Sequence, residues 1–210
     1  MWFAVTLTLV LPCLSVSSEG SASPADPPVG NLSLAEFQSQ FKHRRMIQLE
    51  AIKGLLNLSK YEAKYEMVSR MLDKIYELHL QSWPLIENSG YIPGGEDVAS
   101  SPPLPNSPSL LSALSTLMEN CALVGDVVLR LPDIATRLLR KKPEWMAFVK
   151  RDCLTFVPNT RLLDPVTEEM LTLAAQELQV VPRSPDFINP YREPVDDRSK
   201  QRKNDRRMEL

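Results

Sequence analysis

The chain has 210 residues, of which 43% are hydrophobic and 24% charged, and 24 Lys and Arg against 26 Asp and Glu leave a net charge of −2. That length holds about one domain with tails. The composition excludes a wholly disordered chain and a multi-pass membrane protein, and the charge balance speaks against a general nucleic-acid binder.

The first element is an address. Trp2 to Leu14 is apolar, and nothing charged precedes Glu19. The run is too short for a stable span and fits a signal-peptide core. Ser15, Ser17, Ser18 and Gly20 supply the small residues a cleavage site needs, and Pro12 works against a buried N-terminal helix. Residues 1–20 are therefore read as a signal peptide and 21–32 as a disordered Ser/Pro/Ala linker, which places the chain in the secretory pathway. Cys13 leaves with the leader. Cys121 and Cys153 then form either an inter-helix disulfide or two buried thiols. Asn31-Leu32-Ser33 and Asn57-Leu58-Ser59 are glycosylation acceptors, Asn31 the better placed.

A helical domain is expected over residues 33–180. Ser33-x-x-Glu36 is a capping box, and Leu34, Phe37, Phe41, Ile52, Leu55 and Leu56 follow on one face. Lys42, His43, Arg44 and Arg45 interrupt that stripe with a basic turn. Gly54 and Asn57 suggest a bend. Tyr61, Tyr65, Val68, Leu72, Ile75 and His79 then alternate steps of four and three, as in a bundle helix. Residues 84–108 hold six prolines and three glycines at Pro84, Gly90, Pro93, Gly94, Gly95, Pro102, Pro103, Pro105 and Pro108, and are expected to be a long exposed loop. Ser107 and Pro108 open the next helix, whose Leu110, Leu114, Leu117, Cys121, Val124, Val128 and Leu131 mark it as central. Shorter helices are expected over 133–141 and 143–157. A last one opens at Asp164-Pro165, with Met170, Leu173, Ala174 and Leu178 facing the core. Beyond it, 181–210 reads as an extended, solvated basic tail from which Phe187, Ile188 and Tyr191 have the apolar surface to dock back.

Arg207-Met208-Glu209-Leu210 resembles an endoplasmic-reticulum retrieval signal read by a lumenal receptor, with Met208 as the departure. Asp126 and Arg130 lie four apart in the central helix, acid first, the favourable order for an ion pair. The pair is read as a structural anchor, with a partner contact as the alternative, and Gly125 admits a close helix. His43 and His79 are too few for zinc or a Ser-His-Asp triad, and His79 reads as a packing residue. No phosphate loop, nucleophile elbow or dinucleotide fingerprint occurs. The expectation is an all-α bundle of about five to six helices with a Pro-rich loop and a disordered basic tail. It has no cofactor, no metal, no nucleic acid, and no membrane span once the leader is gone. An enzyme with an unfamiliar site stays the minor alternative.

Met118-Glu119-Asn120 leading into Gly125-Asp126-Val127-Val128-Leu129-Arg130-x-Pro132 resembles the coiled-coil domain-containing protein 134 family. So do Phe41-Lys42-His43-Arg44-Arg45, Ala51-Ile52-Lys53, the Pro93-Gly94 loop, Trp145, Ala175-Gln176-Glu177-Leu178 and Phe187-x-Asn189-Pro190. The resemblance implies a largely helical, non-enzymatic protein of the endoplasmic-reticulum lumen, partly secreted. It also implies an adaptor role in biogenesis of the chaperone endoplasmin at the translocon, or else damping of MAP-kinase signalling as a secreted ligand. In that family a Thr stands in place of Cys121, so a bond from Cys121 to Cys153 is not a shared feature. The family's glycosylation acceptor near residue 155 is absent.

Overall fold

The computed structural model describes residues 32–94 and 104–192. The expectations for the leader, for Asn31, for the middle of the Pro-rich loop and for the end of the tail, including Arg207 to Leu210, lie outside these residues. Within them the chain is helical and no strand occurs. The helices are α1 (Leu34–Leu56), α2 (Tyr61–Asn88), α3 (Pro108–Arg130), α4 (Pro132–Lys141), α5 (Pro143–Phe148), α6 (Val157–Asn159) and α7 (Pro165–Glu177). Val149–Phe156 between α5 and α6 is π-helical, so 143–159 is one continuous rod.

The starts of α1, α3 and α7 have a local cause. The Ser33 hydroxyl accepts from the Glu36 N–H while the Glu36 carboxylate accepts from the Ser33 N–H at 2.9 Å, closing the capping box. The Ser33 N–H and then the Ser33 hydroxyl, both donating to the carboxylate, hold the Glu36 carboxyl below its ordinary pKa. Ser107 and Asp164 cap α3 and α7, each followed by proline where no N–H is needed. Between α1 and α2 the break begins at Asn57, which is exposed at the α1 C-cap; Gly54 lies inside the helix.

The central helix is α3. Its Leu110, Leu114, Leu117, Cys121, Val124 and Val128 are all buried, and burial spreads right round the helix from Asn120 to Leu129. By length and composition alone α3 is apolar enough to cross a bilayer, yet here its apolar surface lies inside the bundle. Gly125 lets α7 approach: a Cβ there would meet Met170 Sδ at 2.5 Å and Leu171 Cδ2 at 3.0 Å. On α7 the buried face uses Leu171 and Ala175 with Met170 and Ala174, leaving Leu173 half-buried.

Two expectations are corrected. Pro84 does not end α2, which runs on to Asn88. Proline removes the N–H that would bond Leu80. Leu80 is 56% exposed, so the missing bond falls on the solvent-facing side of the helix, where it costs least. The four-three spacing continues through Ser82 and Ile86, and buried Ile86 holds the last turn down. The tail is also not free from residue 181. Residues 181–192 form a strap that returns to the bundle, and Asn189 is only 5% exposed.

The rod carries the disulfide. Cys121 of α3 and Cys153 of the π segment are bonded, with Cα atoms 4.8 Å apart and both residues fully enclosed. The π register is visible in bonds five residues apart: Val157 N–H to Asp152 O, and Thr155 Oγ1 to Lys150 O at 2.9 Å. Cys121 and Cys153 are 32 residues apart, so the bond should contribute about 3–4 kcal/mol by restricting the unfolded chain. Chemical denaturation of a Cys121→Ala/Cys153→Ala variant should show a loss of that size with helical content retained.

Candidate functional site

The motifs singled out in the sequence are far apart along the chain, yet they meet in one polar network at the C-terminal end of α3. Asp126 is its centre. The side chain is 1% exposed in the most apolar helix among the described residues, so its charge requires a partner. Arg130 is that partner only weakly, with Nε 3.5 Å from Oδ1. The closer cation is Arg45 of α1, whose Nη2 lies 2.7 Å from Oδ2. The contact is off the line of the N–H bond, making it an ion pair more than an aligned hydrogen bond. Arg45 also donates to Gln48 Oε1 at 3.1 Å.

The expected basic turn of α1 is therefore misread at one residue. Lys42 and His43 are exposed, but Arg45 occupies the stripe between Phe41 and Ile52 and is buried. Its neighbour Arg44 pairs with Glu119 and donates to Ser115 Oγ at 2.8 Å, while Gln48 donates to the Glu119 carbonyl at 3.2 Å. The α1–α3 seam is polar along this whole edge.

Arg130 has a second role. Its guanidinium lies 3.9 Å over the Tyr191 ring of the strap. Two residues earlier, Asn189 donates from Nδ2 to Leu129 O at 2.8 Å and to Glu177 Oε2 at 3.0 Å. Leu129 O is an orphan last-turn carbonyl of α3, and Asn189 caps it from outside the helix. The Glu177 carboxylate, 3% exposed, also accepts from Arg192 at 2.7 Å, with Arg183 at 3.5 Å. The strap reaches this position because α7 ends in a Schellman turn: Val180 N–H bonds Ala175 O and Gln179 N–H bonds Gln176 O. Gln179 takes φ 57°, where glycine is usual. Of the apolar residues expected to dock, Tyr191 does so through its ring, Phe187 is half-buried beneath Arg183, and Ile188 stays 77% exposed.

A second buried group lies in the rod. His79 Nε2 is 3.4 Å from Asp152 Oδ2, and Arg151 holds the same carboxylate through two bonds at 2.7 and 3.0 Å. The imidazole is 4.3 Å from the Phe148 ring, with Trp83 and Tyr76 beside it, and Nδ1 has no partner. This is not a catalytic triad, because Ser82 gives its hydroxyl to the Leu78 and His79 carbonyls and not to the imidazole. His79 packs, as expected, and is also half of a buried acid–base pair. Among the described residues no group of three His, Cys, Asp or Glu is placed to hold a metal.

Two outcomes follow. Asp126→Asn strips the counter-charge from Arg45 and should cost about 3–5 kcal/mol. Adding Arg45→Met should recover a large part of that loss, measured as a coupling in denaturation of the single and double variants. Burial holds the His79 pKa below 6.5, against the pull of Asp152 and with the push of Arg151. The unfolded chain therefore takes the proton first. Stability is complete above pH 6.5 and falls as pH drops toward the folded pKa. His79→Gln should flatten that fall in the pH dependence of thermal unfolding.

The family described as "ERK and JNK pathways, inhibitor" matches residues 26–209. The chain is 29% identical over 161 residues to the mouse protein named Coiled-coil domain-containing protein 134, covering 76% of this chain and 67% of that one. It is 27% identical over 188 residues to the Xenopus tropicalis protein of the same name, covering 89% and 76%. No solved structure matches.

Proposed function

This chain belongs to the family of ERK and JNK pathway inhibitors, and on that premise we propose that it is a non-enzymatic helical binding protein of the secretory route that lowers ERK and JNK signalling through a protein partner. The observation that carries this reading is the extent of the match. Residues 26–209 include the whole helical body and the strap, so the family property goes with this fold and not with an appended segment. The route is supported by the Trp2–Leu14 leader and by the bonded Cys121 and Cys153, since such bonds persist in oxidising compartments.

A second reading has its own support in Arg207-Met208-Glu209-Leu210. An ending of that kind favours retention in the lumen, where the chain would act as an adaptor for endoplasmin or nascent clients at the translocon. The exposed Asn57 suits a glycan on either route.

Purified full-length chain added to growth-factor-stimulated cells should lower phosphorylated ERK and JNK on immunoblots. Pull-down from microsomes of producing cells checks the lumenal reading by recovery of endoplasmin. Unchanged kinase phosphorylation, both on addition and on overexpression, would overturn the first reading; endoplasmin recovered alongside that result would establish the second.

A further inference from the structure

Beside the polar network lies an open cleft of about 930 Å³. One wall is α4, which presents Arg137, Arg140 and Lys141 at positions i, i+3 and i+4, on one side of the helix. The strap contributes Arg183 and Arg192 to the lining, and Tyr61 of α2 lines it at 43% exposure. Two acids line the cleft, Asp133 and Glu177. Glu177 is already engaged by Asn189, Arg183 and Arg192.

The three bases of α4 lack the acid partner that several surface cations of the bundle have; among the described residues Lys42, Lys60 and Lys150 lack one too, but they are scattered, while the α4 bases line one cleft. Lys53, Arg70, Lys74 and Lys142 each have a carboxylate within 3.0 Å. Among the described residues no carboxylate pairs with Arg137, Arg140 or Lys141, although Asp133 stands four residues before Arg137. Lys141 gives its ammonium to the neutral Tyr65 hydroxyl at 2.8 Å, and Arg137 lies 5.9 Å over the Tyr61 ring. The α4 C-terminus favours cations in its last turn, which accounts for Arg140 and Lys141. It does not account for Arg137, and on the strap Arg183 and Arg192 share the single Glu177 carboxylate, which leaves positive charge in excess. The cleft carries five bases and two acids in a chain whose net charge is −2.

We propose that this cleft docks an acidic segment of a partner protein, with its carboxylates between Arg137, Arg140 and Lys141 and an apolar or aromatic side chain on Tyr61. Guanidiniums suit carboxylates because they offer paired donors in one plane. Tyr61 supplies a flat apolar face, and Asp133 and Glu177 oppose a uniform polyanion while tolerating a peptide that mixes acids with neutral residues. The assignment rests on the binding-protein reading above and names the surface and partner chemistry for it.

Fluorescence anisotropy with the full chain tests it. The probe is a labelled peptide of roughly a dozen residues, Glu- and Asp-rich with one tyrosine. Binding is expected, and it should weaken as salt rises from about 0.05 to 0.3 M. Arg137→Glu/Arg140→Glu should weaken it about tenfold or more. Lys42→Glu/Lys150→Glu makes the same change in net charge on exposed residues outside the cleft and should alter it less than about twofold. Far-UV circular dichroism checks folding, and Arg137→Gln/Arg140→Gln should lose affinity in the same direction. Equal losses from the two charge-reversed variants would overturn the proposal, as would failure of the peptide to bind where a heparin oligosaccharide does. The readout is independent of kinase phosphorylation. Lost peptide binding with ERK and JNK still lowered removes the cleft and keeps the function, and the opposite pair of results does the reverse.

Discussion

One buried carboxylate organises this molecule. Asp126 carries a charge into the middle of the bundle, on a helix whose other surfaces are nearly all apolar. Water cannot reach it, so the fold must deliver cations. It takes one from α1, a stretch of chain about eighty residues earlier, and one from its own helix. Arg45 fixes how α1 lies along α3. Arg130, turned partly outward at 21% exposure, is left to hold the Tyr191 ring. An apolar residue at position 126 would pack as well, but it would not specify which helix lies there or in which register.

The same economy recurs at Glu177. A carboxylate at the last turn of a helix is unfavourable against the helix dipole, and this one is nearly buried as well. Arg183, Arg192 and Asn189 remove that cost and tie the strap down in doing so. Asn189 also satisfies Leu129 O at the end of α3. The two networks touch through Arg130 and Tyr191, so α1, α3, α7 and the strap form one linked polar edge on an otherwise apolar bundle. The cleft opens beside that edge, its rim set by α4 and by the strap that the network holds in place.

Packing on the other side has a different character. The rod 143–159 meets α2 through an aromatic cluster around His79 and meets α3 through the disulfide. Asp152 and Cys153 are neighbours in sequence and both fully enclosed, one paired with His79 and the other bonded to Cys121. The widened turns of the π segment sit where both contacts must be made at once. Pro158, with no N–H to return to Leu154, lies just beyond them.

Sequence alone was enough for the all-α class, for the caps at Ser33, Ser107 and Asp164, and for the centrality of α3, because these depend on local spacing and near-neighbour bonds. The membership was legible too: the residues quoted for the resemblance include Arg44, Arg45, Glu119, Asp126, Arg130, Glu177 and Asn189, which the network joins. What spacing could not supply was partnership. Arg45 reads as part of a basic turn until α3 brings Asp126 against it, and the i,i+4 pair of Asp126 with Arg130 looks sufficient until the closer cation appears. Pro84 reads as a stop because its missing N–H is a local fact, while the exposure of Leu80 and the burial of Ile86 that let the helix continue are tertiary ones. The strap looks like extended tail with only Phe187, Ile188 and Tyr191 to dock it, for the same reason. A short Asn-Pro-Tyr-Arg stretch has no periodicity to declare, and its order comes from a helix end, a buried acid and the Arg130 guanidinium, which only the folded bundle places beside it.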